Sequence, residues 1–242
     1  LISFENYCTS EKTQRGWKVA YRPIARTTDT RTLISVALTN SPAGNSLFFL
    51  IPRQSQGGEA LMISAVLNGF VYDYQMRMRL GGTNLSWFVI EDMPLIAKNK
   101  IRSTTIARLA LMLTGGTPRY ASAWHDMRES DTWLSAWPWR RLWAITPHER
   151  LRLRSILDAA VADLYGLDIE DFAWILRDCD HPIAKVCDKP FSRTLDPKGF
   201  WRVDKEMDPE LRHTVLSLVA FHDLKRLGLK AFLEQNDGEG WM

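Results

Sequence analysis

The hydrophobic period changes near Glu59, and that change limits the fold more than any other feature of the chain. Before it stand short apolar runs, each long enough to cross a sheet once: Trp17 to Arg22, Arg31 to Leu38 and Leu47 to Ile51. Between them lie Thr27-Thr28-Asp29-Thr30 and Ser41-Pro42-Ala43-Gly44-Asn45, rich in residues that favour turns. After it, Glu59 to Leu67 and Phe70 to Leu80 carry apolar residues at helical spacing, with Asn68-Gly69 as a joint. Leu85 to Ile90 then reads as one more strand, closed by Pro94. Strands first and helices afterwards predict an α+β fold rather than an alternating α/β one.

The remainder is predicted to be mainly helical. Ile101 to Leu113 is amphipathic and stops at Gly115-Gly116. Trp124, Trp133, Trp137, Trp139 and Trp143 follow in what reads as a loop. Thr146-Pro147-His148-Glu149 is a strong helix start, with a hydroxyl cap, proline in the first turn and glutamate three residues after the cap. That helix should run to Tyr165 and stop at Gly166, and Asp168 should open a shorter one reaching Arg177. Residues 178–207 read as a long loop, and Asp208-Pro209 starts a last helix interrupted at Gly228. There is no internal repeat. The chain divides into a mixed α/β region with short strands, 1–120, and a mainly helical region, 121–242.

Charge follows the same division. The 242 residues carry 31 basic and 28 acidic side chains, a net +3 that does not announce a polyanion binder. Residues 1–120, however, hold 14 basic and 7 acidic residues, and residues 121–242 hold 17 and 21, so +7 is joined to −4. A basic half attracts phosphates by long-range potential and counterion release. Three cysteines cannot pair completely, and no signal-like or membrane-length apolar segment occurs, so a soluble cytoplasmic protein is expected. The chain begins at Leu1 and reads as a piece of a longer one.

Catalytic signatures are missing. There is no Walker lysine loop, no dinucleotide glycine fingerprint, no nucleophile elbow and no adjacent proline pair of the kind that holds a flipped adenine. Cys179, His181 and Cys187 lack the spacing of a common zinc site and read as loop residues. Asp204-Lys205-Glu206 and Asp223-Leu224-Lys225 hold the residue types of a magnesium nuclease but lack a preceding acid on a strand. The segment Trp137 to Trp143 contains arginines that could flank stacked bases, but it reads better as aromatic packing between two subregions.

Two groups in the basic half suit nucleic acid. Arg22, Arg26, Thr27, Thr28 and Arg31 surround a strand–turn–strand connection, where guanidinium and hydroxyl groups reach phosphates or base edges. Arg77 and Arg79 end a helix and lead into Gly81, Gly82, Thr83 and Asn84, where bare backbone amides allow close approach of a phosphate. Each group alone would be a turn with a solvated flank.

The residues from Tyr21 to Ile34, YRPIARTTDTRTLI, resemble the R-x-I-A-R-x-T-x-x-R-T-L-I block found beyond the catalytic domain of large adenine-specific DNA methyltransferases. Those enzymes belong to fused restriction–modification and related phage-defence systems. Gly44 to Leu47, Leu67 to Tyr74, Arg77, Gly81 to Phe88 and Glu91 to Pro94 continue the pattern in order; Gly69 stands where the family usually has serine. Glu149-Arg150, Asp158, Leu164-Tyr165-Gly166-Leu167 and Phe172 to Leu176 resemble its later helices. The resemblance implies a C-terminal target-recognition region that binds double-stranded DNA. A preceding domain of the same polypeptide would hold S-adenosylmethionine and the extruded adenine. A module that docks onto such a domain, or onto another defence subunit, without touching DNA is the alternative.

Overall fold

The computed structural model describes residues 8–9, 16–39, 44, 46–52, 57–96, 100–177 and 198–234. The Cys179–Cys187 cluster therefore lies outside the described residues, and so does most of the long loop assigned to 178–207. The fold is α+β. Its strands are β1 (Cys8–Thr9), β2 (Trp17–Tyr21), β3 (Ser35–Thr39) and β4 (Phe48–Pro52), ordered β1-β4-β2-β3 with every pairing antiparallel. Val19 is the register point of the sheet, opposite Ala37 on one side and Leu50 on the other.

Helix α1 (Gly57–Asn68) packs on the sheet and is apolar almost all round, with Ala60 to Leu67 buried, so it becomes the centre of the molecule rather than a surface helix. Helices α2 (Phe70–Arg79) and α4 (Lys100–Thr114) follow, separated by the single turn α3 (Trp87–Glu91). Beyond Tyr120 come α5 (Ala121–Ser130), α6 (Thr132–Ser135), α7 (Pro147–Leu164), α8 (Ile169–Ile175), α9 (His213–Leu227) and α10 (Leu229–Glu234). Helix α7 lies against α4 and α9, so the order outward from the sheet is α1, α4, α7, α9.

The sequence signals for α7 act as read. Thr146 Oγ1 accepts from the Glu149 amide at 3.2 Å, and the Glu149 carboxylate reaches back to the Ile145 amide at 3.2 Å. Gly166, at φ +71°, turns the chain out of the helix while its own amide donates to Asp163 and that of Leu167 donates to Ala162. Asp168 and Asp171 cap α8 reciprocally.

Three expectations are corrected. The run Leu85–Ile90 is not a strand: Trp87–Glu91 forms a helical turn, because five apolar residues are too few to separate a period of 2 from one of 3.6. The tryptophan-rich segment is not a loop but contains α5 and α6. Ala123, Trp124 and Met127 make the buried stripe of α5, and the Asp131 carboxylate caps α6. Strand β3 starts at Ser35 rather than Arg31. The amides of Thr32 and Leu33 are taken by the Asp73 carboxylate at 3.0 and 2.8 Å instead of by a neighbouring strand.

The division at Tyr120 marks a change in composition, not a break in packing. One hydrophobic core runs from Trp17 and Leu50 through Leu111 and Trp124 to Phe221 and Phe232. Polar contacts cross the same boundary: Trp124 Nε1 donates to the Gly115 carbonyl at 2.9 Å, and the Phe70 amide donates to Asp158 at 2.8 Å.

Candidate nucleic-acid interface

The two basic groups, some fifty residues apart in sequence, are laid side by side. Ile24 and Asn84 form an antiparallel bridge. The Ala25 amide donates to the Thr83 carbonyl at 2.9 Å, and the Leu85 amide donates to the Pro23 carbonyl at 2.7 Å. The β2–β3 connection and the glycine loop after α2 thus form one continuous backbone surface. Its shape is fixed from within the turn: the Asp29 carboxylate accepts from the Arg26 amide at 3.1 Å, and the Asp29 amide returns to the Arg26 carbonyl.

Arg26, Thr28, Arg79, Gly81, Gly82, Thr83 and Asn84 are exposed on these loops, and Thr27 is half-buried. The side chains of Arg26 and Arg79 make no ion pair among the described residues. A Cβ built at Gly81 or Gly82 would meet nothing within 4 Å, so the bare backbone there faces open space. Ile24, Met78 and Phe88 are also exposed, which nothing in the sequence pattern marks. Met78 and Phe88 lie inside predicted elements, where an apolar residue reads as core, and Ile24 lies in the strand–turn–strand connection.

The other three arginines are placed differently. Arg22 is partly exposed and ties its own loop, 3.4 Å from Asp29 and 3.3 Å from the Arg31 carbonyl. Arg77 is fully buried and cannot meet a phosphate. Its guanidinium contacts Asp73 at 3.1 Å and donates to the carbonyls of Asp29, Thr30, Lys198 and Gly199 at 2.8 to 3.0 Å. Position at the end of an amphipathic helix suggested an exposed cation, but residue 77 falls on the inner face of α2 and residue 79 on the outer.

Arg31 is inside as well, its guanidinium 3.6 Å from the centre of the Phe70 ring and 3.7 Å from an Asp158 oxygen. It faces a cavity of about 580 Å³ with Arg150 and Arg154 of α7, bounded by Asp158, His213, Tyr120 and the apolar side chains of Val36 and Leu157. Arg150 is held by the carbonyls of Leu113 and Ala144 at 2.8 and 3.0 Å. Partial burial lowers the pKa of Arg154; Asp204 opposes this and Arg31 adds to it. His213 Nε2 stands 2.8 Å from Asp158 Oδ2, and burial lowers the imidazole pKa despite that carboxylate.

The tryptophans are largely absorbed by packing. Trp124 is buried with its Nε1 donating to the Gly115 carbonyl at 2.9 Å, and Trp139 and Trp143 meet edge to face. Among the described residues no group of three or more histidine, cysteine or acidic side chains is placed to hold a metal ion. No helix among them is long and apolar enough to cross a membrane.

Comparison with protein-family models, with curated proteins and with solved structures finds no match.

Proposed function

We propose that the chain is the DNA target-recognition region of an adenine-specific DNA methyltransferase of a restriction–modification or phage-defence system, working in the cytoplasm. The catalytic domain would precede residue 1. The observation that supports this reading is the bridge between Ile24 and Asn84, which joins two separately basic loops into one exposed surface. On that surface Arg26 and Arg79 neutralise phosphates. Thr28, Thr83 and Asn84 offer hydrogen-bonding groups to the backbone or a base edge, and Gly81-Gly82 admits the sugar–phosphate chain closely. Arg22 and Arg77 serve it by holding the loop in shape rather than by contact.

S-adenosylmethionine belongs to the preceding domain on this reading. The large cavity does not suit it, since Arg31, Arg150 and Arg154 would face a sulfonium that is itself positive. What the cofactor supplies is a methyl group, and no side chain of this chain is given a part in its transfer. The experiment is a titration of the protein with duplex DNA at several salt concentrations. Arg26→Ala and Arg79→Ala should each weaken binding about tenfold at low salt, as expected for loss of a charge-assisted hydrogen bond. Unchanged affinity in both would remove the proposed surface.

A second reading has its own support. Trp137, Ile145 and Trp174 are exposed on the acidic helical half, Ile145 at 70%. Solvent-facing residues of this kind suit docking onto a neighbouring domain or a defence subunit. A complex that forms without DNA, and that Trp137→Ala and Trp174→Ala dissolve, would favour it.

A further inference from the structure

The cavity between the sheet side and α7 has a chemistry that the DNA reading does not use. Arg150, Arg154 and Asp158 follow one another at intervals of four on α7, so all three project from one face of the helix toward the same space. Arg31, from the β2–β3 connection, lines the same space, 3.7 Å from Asp158. Two arginines one turn apart repel each other, and a third cation beside them adds to that cost unless an anion is present. Asp158 supplies one charge. Its oxygens already serve the Phe70 amide, His213 and Arg31. Asp204 acts on Arg154 as a second carboxylate. Three guanidinium groups against two carboxylates leave a positive excess.

The donors are also held ready. The Arg31 guanidinium lies over the Phe70 ring, and its buried Nη1 has no hydrogen-bond partner among the described residues. A buried guanidinium nitrogen without an acceptor is costly, and an oxyanion would complete it. Arg150 is fixed through Nη1 by two carbonyls, so its position does not depend on a ligand. Val36, Leu113, Leu157 and the Tyr120 ring complete an apolar wall, and about 580 Å³ is the size of a small-molecule site.

We propose that this cavity binds a small organic phosphate of about nucleotide size, its phosphoryl group on Arg31, Arg150 and Arg154 and its body against the wall of Val36, Leu113, Leu157 and Tyr120. The site is separate from the loops of Arg26 and Arg79, so it stands whether or not those loops bind DNA. Arg154 is the residue to change, because it is exposed and its Nε donates to the Arg150 carbonyl of the same helix, whereas Arg150 ties α7 to the carbonyls of Leu113 and Ala144.

Isothermal titration of the full chain with adenosine and uridine 5′-monophosphates, citrate and inorganic phosphate tests this. The expected result is saturable binding of a nucleoside monophosphate, weakened about tenfold or more in Arg154→Ala and reversed to no binding in Arg154→Glu. Arg26→Ala should bind the nucleotide like the unmodified chain. Circular dichroism melting of the Arg154 variants without ligand should match the unmodified protein, which separates loss of the site from loss of the fold; a large drop in melting temperature would contradict the peripheral role given to Arg154. Absence of saturable binding by either nucleotide overturns the proposal. So does phosphate or citrate binding as tightly as the nucleotides, since the apolar wall would then contribute nothing. Displacement of the nucleotide by short duplex DNA, lost in Arg154→Ala, would assign the arginines to a DNA phosphate and overturn it equally.

Discussion

Arg77 and Arg79 differ by two positions and by almost everything else. Arg77 is enclosed with Asp73, and that carboxylate also holds the Thr32 and Leu33 amides, so α2 is tied to the start of β3 through one buried charge pair. Removing one partner leaves the other buried and uncompensated. Arg77→Met should therefore destabilise the protein by about 3–5 kcal/mol, read from urea unfolding, and any loss of DNA binding in that variant would follow from unfolding. A cost under about 1 kcal/mol would contradict this placement. The Asp73–Arg77 spacing of four was available in the sequence; that both face inward was not, because the four carbonyls they organise come from distant segments. His213 carries a pH signature. Its folded pKa lies below the ordinary value because burial disfavours the cation. Below about pH 6.5 the unfolded chain takes up a proton that the folded chain refuses. Stability is thus fully present above pH 6.5 and falls as pH drops toward the lowered value, by up to about 1.4 kcal/mol per unit. His213→Gln should flatten that stretch of the stability–pH curve, and an unchanged slope would show that other groups cause it.

At the scale of elements, helix ends were more legible than short apolar runs. Thr146, Pro147 and Glu149 announced α7 because capping is local chemistry, and Gly166 marked its end because only a glycine takes a φ of +71° without strain. Gly166→Ala should accordingly cost about 1–2 kcal/mol in thermal or urea unfolding. A neutral effect would mean that the turn relaxes. Gly115 is constrained by neighbours instead of by its torsion angle: a Cβ there would lie 2.6 Å from Trp124 Nε1 and 2.7 Å from the Leu111 carbonyl. Nothing in the sequence distinguishes these two glycines from Gly81 and Gly82, which face open space. The turn at Trp87–Glu91 is likewise not marked in the sequence. Its apolar residues fit either period, and the choice was made by the bridge that delivers Leu85 beside Pro23. The stripe of α5 is masked in the sequence by the density of tryptophans around the spacing of Ala123, Trp124 and Met127.

For the whole molecule, the two regions expected from composition share one core, and the charge division lies on it as surface chemistry. The joining of the loops around Arg26 and Arg79 depends on two backbone hydrogen bonds between residues 23–25 and 83–85, which no side-chain pattern encodes. The sequence therefore contained the components of the candidate surface but not their adjacency, and it placed Arg31 and Arg77 among contact residues although both point inward. The most direct test of the account is the salt dependence of duplex binding. Each phosphate contact contributes about 0.9 to the slope of log affinity against log salt. The account predicts that Arg26→Ala and Arg79→Ala each reduce the slope by about that amount while melting like the unmodified protein. A slope identical to that of the unmodified chain in both variants would contradict it.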